Sequence, residues 1–258
     1  MKLKYYLGAT VSIPLLPMLY WQSQKIKRTM PQLPEATGIE GVAMYAANAA
    51  SFTLVAIGES TIAGVGVATN EVGLVGTLAK ELAQKTKKNI HWYIVAKSGY
   101  TAQKVSDELV PKLKDLPAPD LLVVGLGGNN AFELTSPRKW GKQMDSLLQK
   151  LTTQFVNTPI GLLNMPPVKE FPAFTRLMKF TVGNLIELLG EELQKVAARY
   201  ENAYYNGAIV TLAGFQEKFK VSGERSLFFS DGVHPSELTY QLFAKDFAGY
   251  LYQKILAR

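Results

Sequence analysis

Residues 52–60 of the chain read FTLVAIGES. The run from Phe52 to Ile57 is short and almost wholly apolar, which is typical of a strand that is buried on both faces of a sheet. The polar side chains of Glu59 and Ser60 follow it within three positions. Because open α/β sheets bind their ligands just outside the carboxyl ends of the strands, this placement predicts a functional serine.

A second polar group lies near the C-terminus, where residues 231–235 read DGVHP. In a tight turn this spacing lets the carboxylate of Asp231 reach Nδ1 of His234. A carboxylate that orients a histidine makes Nε2 a competent general base, and a serine hydroxyl needs such a base before it can attack an ester. The sequence therefore predicts a hydrolase in which Ser60 is the nucleophile, His234 the base and Asp231 the residue that orients the imidazole.

These three residues also have purely structural interpretations. Ser60 could cap the segment that follows it. His234 could be a turn residue that precedes Pro235, and Asp231 could be a turn carboxylate or a helix cap. The hydrolase interpretation is favoured because all three residue types occur together.

Strand-like and helical segments alternate along the chain. Apolar runs predict strands at 52–57, 90–96, 121–125, 159–163 and 203–205. Helical periodicity predicts helices at 72–85, 102–113, 137–155, 172–200 and 236–256, with Gly183 and Gly190 as candidate interruptions of the fourth. This alternation predicts an α/β fold whose parallel sheet is covered by helices on both faces.

Four short motifs occur in order: GES at 58–60, SGYT at 98–101, GGNN at 127–130 and DGVH at 231–234. Together they resemble the SGNH hydrolases, the GDSL-type esterase and lipase superfamily, from about residue 51 to the C-terminus. The resemblance implies a three-layer α/β/α sandwich with a parallel, five-stranded, flavodoxin-like sheet. It also implies a serine esterase or acylhydrolase that cleaves carboxylic esters through an acyl-enzyme intermediate.

The resemblance further implies an oxyanion hole made by the backbone N–H groups of Ser60 and Gly99 and the side chain of Asn129. Gly99 could also be a turn glycine that needs a positive φ, and Asn129 could form an Asx turn. Two positions depart from the family, which usually has Asp where this chain has Glu59 and Asn130. We expect these two residues to affect how the first and third loops are tied together, and hence the rate rather than the type of reaction.

Composition and motif spacing exclude several other classes. The chain has 258 residues, is 47% hydrophobic and contains no cysteine, which excludes a disulfide scaffold, a thiol nucleophile and thiolate metal sites. The glycines at 125–128 lack the Lys-Ser or Lys-Thr of a phosphate loop, and the loop with Gly64 and Gly66 lacks the third glycine of a dinucleotide fingerprint. We therefore expect no cofactor.

The histidines and the serine loop support two more exclusions. The second histidine, His91, lies in a predicted strand far from His234 in sequence, so we expect it to be structural and expect no metal site. Ile62 stands where the nucleophile elbow of α/β-hydrolases has its last glycine, which disfavours that fold.

The net charge of +7 is concentrated at the N-terminus. Five cations and no carboxylate fall within the first thirty residues, so the remainder carries 7 − 5 = +2. A nucleic-acid partner would need a basic stripe on the folded body, and we expect none. The run from Tyr5 to Trp21 is uncharged, lies near the lower limit of about 17 residues for a spanning helix, and ends in an aromatic pair suited to a bilayer interface.

We therefore interpret residues 1–30 as a hydrophobic membrane anchor outside the catalytic fold, 31–50 as a linker and 51–258 as the hydrolase domain. A cleaved signal peptide and a helix packed on the domain are the alternatives for the first segment. The flanking cations are nearly balanced; we favour the extracytoplasmic face, and leave the cytoplasmic side and a secreted protein open. Nothing in the sequence indicates an oligomeric state.

The substrate is less constrained. Residues 164–174, which follow the fourth predicted strand, could line an acyl pocket with their Met and Phe side chains or could simply pack on the core. The partner is expected to be a small-molecule or lipid ester. A carbohydrate O-acetylesterase and a non-catalytic binding protein on the same fold are the alternatives.

Overall fold

The computed structural model describes residues 13–29 and 31–257. The first twelve residues of the expected anchor lie outside this range. The strands are β1 Glu40–Ala43, β2 Ser51–Gly58, β3 Asn89–Ala96, β4 Leu121–Gly125, β5 Ile160–Leu162 and β6 Ala203–Tyr205. The α-helices are α1 Leu16–Thr29, α2 Leu74–Thr86, α3 Ala102–Lys104, α4 Gly128–Phe132, α5 Pro137–Gln154, α6 Arg176–Ala197, α7 Leu212–Phe219 and α8 Glu237–Leu251.

One sheet organises the chain, with the strand order β1-β3-β2-β4-β5-β6. The strands β3, β2, β4, β5 and β6 are mutually parallel, as the sequence predicts. Their order corresponds to the flavodoxin-like order 2-1-3-4-5, so the expected fold class is confirmed. The order reverses at β2, and the loops that follow β2 and β4 therefore border the crevice where such sheets bind ligands.

Helices cover both faces of this sheet. Along β2, Leu54 and Ala56 belong to one buried cluster and Val55 and Ile57 to another, because successive side chains of a strand point to opposite faces. The first cluster is completed by α2 and α8, and the second by α5 and α6. The result is a three-layer sandwich in which β2 is buried on both sides.

The segment 31–50, expected to be a linker, adds a sixth strand. β1 pairs antiparallel with β3 at the edge of the sheet, where Val42 lies opposite His91. Ahead of it, the N–H of Ala36 donates to the carbonyl of Ala63 at 3.0 Å. An exposed parallel edge has unpaired backbone groups, and this short strand pairs with them.

The second predicted helix, 102–113, is not one regular α-helix. It begins as α3, passes through a π-helical turn at Val105–Leu109 and ends as a 3-10 helix at Val110–Asp115. Pro111 lies at the start of this last turn. Because proline has no backbone N–H and clashes with the preceding turn, it disfavours a continuous α-helix here.

Helix α6 continues without a break past both candidate interruptions. A Cβ at Gly183 would lie 2.6 Å from Cγ of Lys169, and a Cβ at Gly190 would lie 3.1 Å from Cγ of Met165. These glycines therefore let residues 164–174 approach the helix closely.

Helix α1 packs against the domain. Leu19 is buried in the core, and Oγ1 of Thr175 donates a hydrogen bond to Oε1 of Gln22 at 2.7 Å. These contacts match the packed-helix alternative for this part of the N-terminus, and they contradict the expectation that it adds nothing to the fold. Within residues 13–29 and 31–257, no helix is both long enough and apolar enough to cross a bilayer.

Candidate active site

The first and third motif loops leave the sheet side by side. Gly58 at the end of β2 lies opposite Gly125 at the end of β4. A Cβ on Gly58 would stand only 2.2 Å from the carbonyl oxygen of Gly125, so a larger residue would force the strands apart. The N–H of Glu59 donates to that same carbonyl at 3.0 Å. The close approach brings the serine loop against the loop that contains Asn129.

Asp231 and His234 interact as their spacing predicts. Nδ1 of His234 lies 2.7 Å from Oδ2 of Asp231, and the backbone N–H groups of Val233 and His234 donate to Oδ1 at 2.9 and 2.7 Å. The turn that allows this includes Gly232, whose φ is +87°. With Nδ1–H bound to the carboxylate, Nε2 of the neutral ring is available to accept a proton.

The Asp231 side chain is only 1% exposed, whereas that of His234 is 22% exposed. Burial acts to raise the pKa of Asp231, but the hydrogen bonds from the His234 ring and from the backbone N–H groups of His234 and Val233 outweigh it. The net pKa of Asp231 lies below its ordinary value. The carboxylate therefore stays ionised and can stabilise an imidazolium.

Four of the predicted site residues border one cavity of about 310 Å³. The fifth, Asp231, does not line this cavity but contacts the ring of His234, which does. The four are Ser60, Gly99, Asn129 and His234. Within the described residues, the backbone N–H groups of Ser60 and Gly99 have no protein acceptor. The φ of Gly99 is +81°, and a Cβ there would meet nothing within 4 Å, so the conformation and not crowding calls for glycine. Two unpaired donors thus border the same space as the predicted nucleophile and base.

The hydroxyl of Ser60 makes no hydrogen bond to His234 among the described residues. Contacts of this kind commonly tighten when substrate binds. The two residues share the cavity, and the Asp231–His234 contact is already formed.

The side chain of Asn129 is engaged by two protein acceptors. Its Nδ2 donates to Oε2 of Glu59 at 2.5 Å and to the backbone carbonyl of Tyr100 at 3.2 Å. A primary amide has two N–H groups, so both are in use. For Asn129 to donate to an oxyanion, it must give up one of these hydrogen bonds, and the longer one to Tyr100 is the weaker.

Glu59 ties the first loop to the third. Besides the amide of Asn129, it accepts from the N–H of Gly128 at 2.8 Å and from the N–H of Asn129 at 3.1 Å. Burial raises the pKa of Glu59 above its ordinary value, although these hydrogen bonds and the nearby charge of His234 act in the opposite direction. The carboxyl group is thus an internal brace of the site.

Asn130 is a separate brace between the third and second loops. It is 1% exposed, and its Oδ1 accepts from the N–H of Ala102 at 2.9 Å. Its Nδ2 donates to Oε1 of Gln143 at 3.0 Å and to Oγ1 of Thr135 at 3.3 Å. It does not line the cavity, so its position supports a structural role.

Glu35, which sequence reasoning missed, holds the second loop. Its Oε1 accepts from the N–H of Ser98 at 2.7 Å, next to Gly99, and its Oε2 pairs with Nζ of Lys97 at 3.2 Å. Glu35 lies in the segment interpreted as a linker, and no local pattern marked it. Only the chain's return to the sheet edge brings it beside a loop more than sixty residues away in sequence.

The rest of the cavity wall is mostly apolar. Residues 164–174 pack on the core through the buried Met165 and Val168, and their Phe171 and Phe174 line the cavity. The expected lining by phenylalanine is therefore present, but Met165 takes no part in it, and acyl binding stays a prediction. The phenylalanines of the wall are Phe132, Phe171, Phe174, Phe215, Phe228, Phe229 and Phe243. Four of them form a chain of ring contacts: between centroids, Phe171 lies 5.4 Å from Phe174 and 5.6 Å from Phe229, and Phe132 lies 5.7 Å from Phe174.

Part of this wall comes from elements that the sequence did not predict, namely α7 with Phe215 and the short helix Arg225–Phe228. Ile26 of α1 lines the cavity as well. His91 lies within β3 and is not a lining residue. Over the described ranges, no group of three or more His, Asp or Glu side chains is arranged to hold a metal ion.

Solved structures with the same fold include several esterases. TesA is 23% identical, with a TM-score of 0.58 over 78% of this chain and 98% of TesA. LAE5, an α/β hydrolase enzyme from the metagenome of Lake Arreo, Spain, is 18% identical, with a TM-score of 0.59 over 81% of this chain and 99% of LAE5. A carbohydrate acetylesterase family member from Sinorhizobium meliloti is 16% identical, with a TM-score of 0.56 over 80% of this chain and 100% of that chain.

At these identities the likeness shows the shared fold alone. No curated protein gives a significant match to the sequence. The model of the GDSL-like Lipase/Acylhydrolase family matches residues 56–242, well over half of the chain and including all four motifs. The chain belongs to the GDSL-like lipase/acylhydrolase family.

Proposed function

We propose that this protein hydrolyses carboxylic esters that carry an apolar acyl chain, through a covalent acyl-Ser60 intermediate. The observation that carries the proposal is the single cavity in which Ser60, Gly99, Asn129 and His234 border a wall made largely of phenylalanine. Polar reacting groups beside an apolar space are the usual composition of a site for an apolar ligand.

In the first step, Oγ of Ser60 attacks the ester carbonyl while Nε2 of His234 takes the hydroxyl proton. Asp231, ionised and bound to Nδ1, stabilises the imidazolium that forms. The carbonyl oxygen becomes an oxyanion, which the N–H groups of Ser60 and Gly99 stabilise together with the amide of Asn129. The two backbone donors have no protein acceptor among the described residues and need no reorganisation when this charge develops, whereas the amide of Asn129 must first release the carbonyl of Tyr100.

In the second step, the tetrahedral intermediate collapses and His234 returns its proton to the leaving alcohol. Ser60 then holds the acyl group as an ester. Water attacks this ester with His234 again as base, the carboxylic acid leaves, and Ser60 recovers its proton. The same three side chains and the same oxyanion hole serve both halves of the reaction.

A carbohydrate O-acetylesterase is the competing proposal, because one protein of similar fold is named a carbohydrate acetylesterase. An acetyl group offers little apolar surface to a wall with seven phenylalanines. The cavity therefore favours a longer acyl chain over acetate.

A series of p-nitrophenyl esters of increasing acyl length tests this choice. We expect kcat/KM to rise by roughly fourfold for each added methylene until the cavity is full, from about 0.8 kcal/mol per buried CH₂. A preference for the acetyl ester and for acetylated xylan would favour the carbohydrate esterase. Absence of turnover with every ester would favour a binding protein.

A wall variant makes the test specific. Phe171→Ala should reduce the advantage of long chains over acetate, because Phe171 lies in the wall and contacts two other rings. Phe180→Ala is the matched control, since Phe180 is 52% exposed and lies outside the cavity. An equal effect of both substitutions would argue against acyl binding at this wall.

A further inference from the structure

One face of helix α1 contacts the rest of the domain. Leu19, Gln22 and Ile26 follow the spacing i, i+3, i+7, which places them on one face of a helix. Leu19 is 7% exposed, Gln22 accepts the hydrogen bond from Thr175, and Ile26 lines the cavity. The helix thus forms part of one side of the cavity.

The neighbouring stripe of the same helix faces solvent. Met18, Trp21, Lys25 and Arg28 follow the spacing i, i+3, i+7, i+10 and share a second face, which we call the docking face. Met18 is 48% and Trp21 63% exposed, and both cations are exposed as well. Nζ of Lys25 lies 5.6 Å from the centroid of the Trp21 ring. None of these four residues lines the cavity.

The N-terminal part of the sequence, to which this face belongs, carries charge of one sign. The first thirty residues carry five cations and no carboxylate, whereas the rest of the chain carries only +2. Exposed tryptophan and methionine beside exposed lysine and arginine match the composition of helices that lie in a membrane interface, where the ring sits at the headgroups and the cations meet lipid phosphates.

We propose that the docking face binds an anionic lipid surface, with α1 lying along the membrane and the cavity held beside it. This deepens the proposed function, on which the second part rests: an ester with an apolar acyl chain would then enter the cavity directly from the lipid. Lipid binding itself needs no catalysis, so the two can fail separately.

Vesicle flotation of the full-length chain tests the proposal with phosphatidylcholine alone and with added phosphatidylglycerol. Wild type should bind the anionic vesicles more strongly. The double variant Lys25→Gln/Arg28→Gln should lose roughly 30-fold in binding to anionic vesicles, from about 1 kcal/mol per cation near the surface, with little change on phosphatidylcholine. Trp21→Ala should weaken binding to both vesicles by roughly tenfold or more.

The matched control is Lys112→Gln/Lys114→Gln, which removes two exposed cations from elsewhere on the surface and should bind like wild type. All variants should keep the wild-type thermal unfolding temperature and wild-type turnover of a soluble ester, because the docking face lies outside the cavity. If no protein, wild type included, hydrolysed esters, the proposed function would be refuted, but the flotation result would still decide whether the docking face binds lipid.

Two results would overturn the proposal. One is equal flotation of wild type and the docking-face variants. The other is concentration-dependent self-association of wild type that Trp21→Ala abolishes, which would make this face a contact between copies of the chain.

Discussion

The carboxyl group of Glu59 accepts a hydrogen bond of 2.5 Å from the side-chain amide of Asn129, although the two residues are 70 positions apart in sequence. The same carboxyl also accepts from two backbone N–H groups of the third loop. These hydrogen bonds fix the orientation of the Asn129 amide, which is expected to serve the oxyanion hole. Glu59 stands where the family usually has aspartate. The residue that departs from the family motif therefore connects the first loop to the third loop of the site.

Glu59→Gln tests this brace. The substitution keeps the length of the side chain, but it replaces one acceptor oxygen with an NH₂ group, so at least one of the three donors loses its partner. We expect kcat to fall by roughly tenfold or more, equivalent to about 1.4 kcal/mol on the barrier, with KM nearly unchanged. Glu71→Gln, which changes an exposed carboxylate, is the control. A rise in KM at constant kcat would instead assign Glu59 to substrate binding.

Ser60 should react covalently with a fluorophosphonate probe, because such probes trap serines that a base activates. Ser60→Ala should abolish both labelling and ester hydrolysis. Ser98→Ala is the matched control, since Ser98 also lines the cavity but is not the predicted nucleophile. Mass spectrometry of the labelled peptide identifies the modified residue, and a label on any other serine would refute the assignment.

Asn129→Ala and Asn130→Ala should separate catalysis from stability. We expect the first to lower kcat by ~10²-fold or more, as for the loss of one oxyanion donor. The second should lower the free energy of unfolding by roughly 1–3 kcal/mol, because it leaves the buried N–H of Ala102 without its partner, and it should change kcat less. Kinetics and denaturant unfolding of both variants decide this; small and equal losses of kcat would show that Asn129 is not a donor.

Glu35→Ala should lower kcat, because the N–H of Ser98 loses its acceptor and the adjacent Gly99 is held less firmly. Glu35→Gln should keep much of the activity, since the amide oxygen can still accept from Ser98 and only the exposed pair with Lys97 is lost. A chain that starts at Gly38 should behave like Glu35→Ala, and one that starts at Pro31 should not show this defect. Equal kcat in Glu35→Ala and wild type would contradict the role.

The dependence of kcat/KM on pH should report the base. The pKa of Asp231 is lowered, so Asp231 stays ionised through the neutral range, and a loss of activity on acidification is expected to report the general base and not this carboxylate. A profile of kcat/KM between about pH 5 and 8 tests this; a flat profile would count against a histidine base.

The lowered pKa also means that the stability contributed by Asp231 is present above its unfolded-state pKa, about 3.9, and is lost as pH falls through its folded-state pKa.

Local patterns in the sequence determined the sheet and the reacting groups. The five parallel strands could be predicted because each is a short and mostly apolar run. The runs are most continuous in the central strands β2 and β4, which are buried on both faces. The contact between Asp231 and His234 could be predicted because it spans three positions within one turn. Ser60 was recognisable because it follows, within three positions, an apolar run that is typical of a buried strand.

Tertiary structure alone decided what surrounds those groups. Strand β1 has only four residues, and it exists because the edge of β3 offers backbone partners. The links from Glu59 to Asn129 and from Glu35 to Ser98 join residues more than sixty positions apart, so no local pattern contains them. The cavity wall likewise takes Ile26 from the first helix and Phe215 from α7. The contact between Asp231 and His234 follows from residues close together in the chain, whereas the link from Glu59, the support from Glu35 and the cavity wall form only when distant segments pack together.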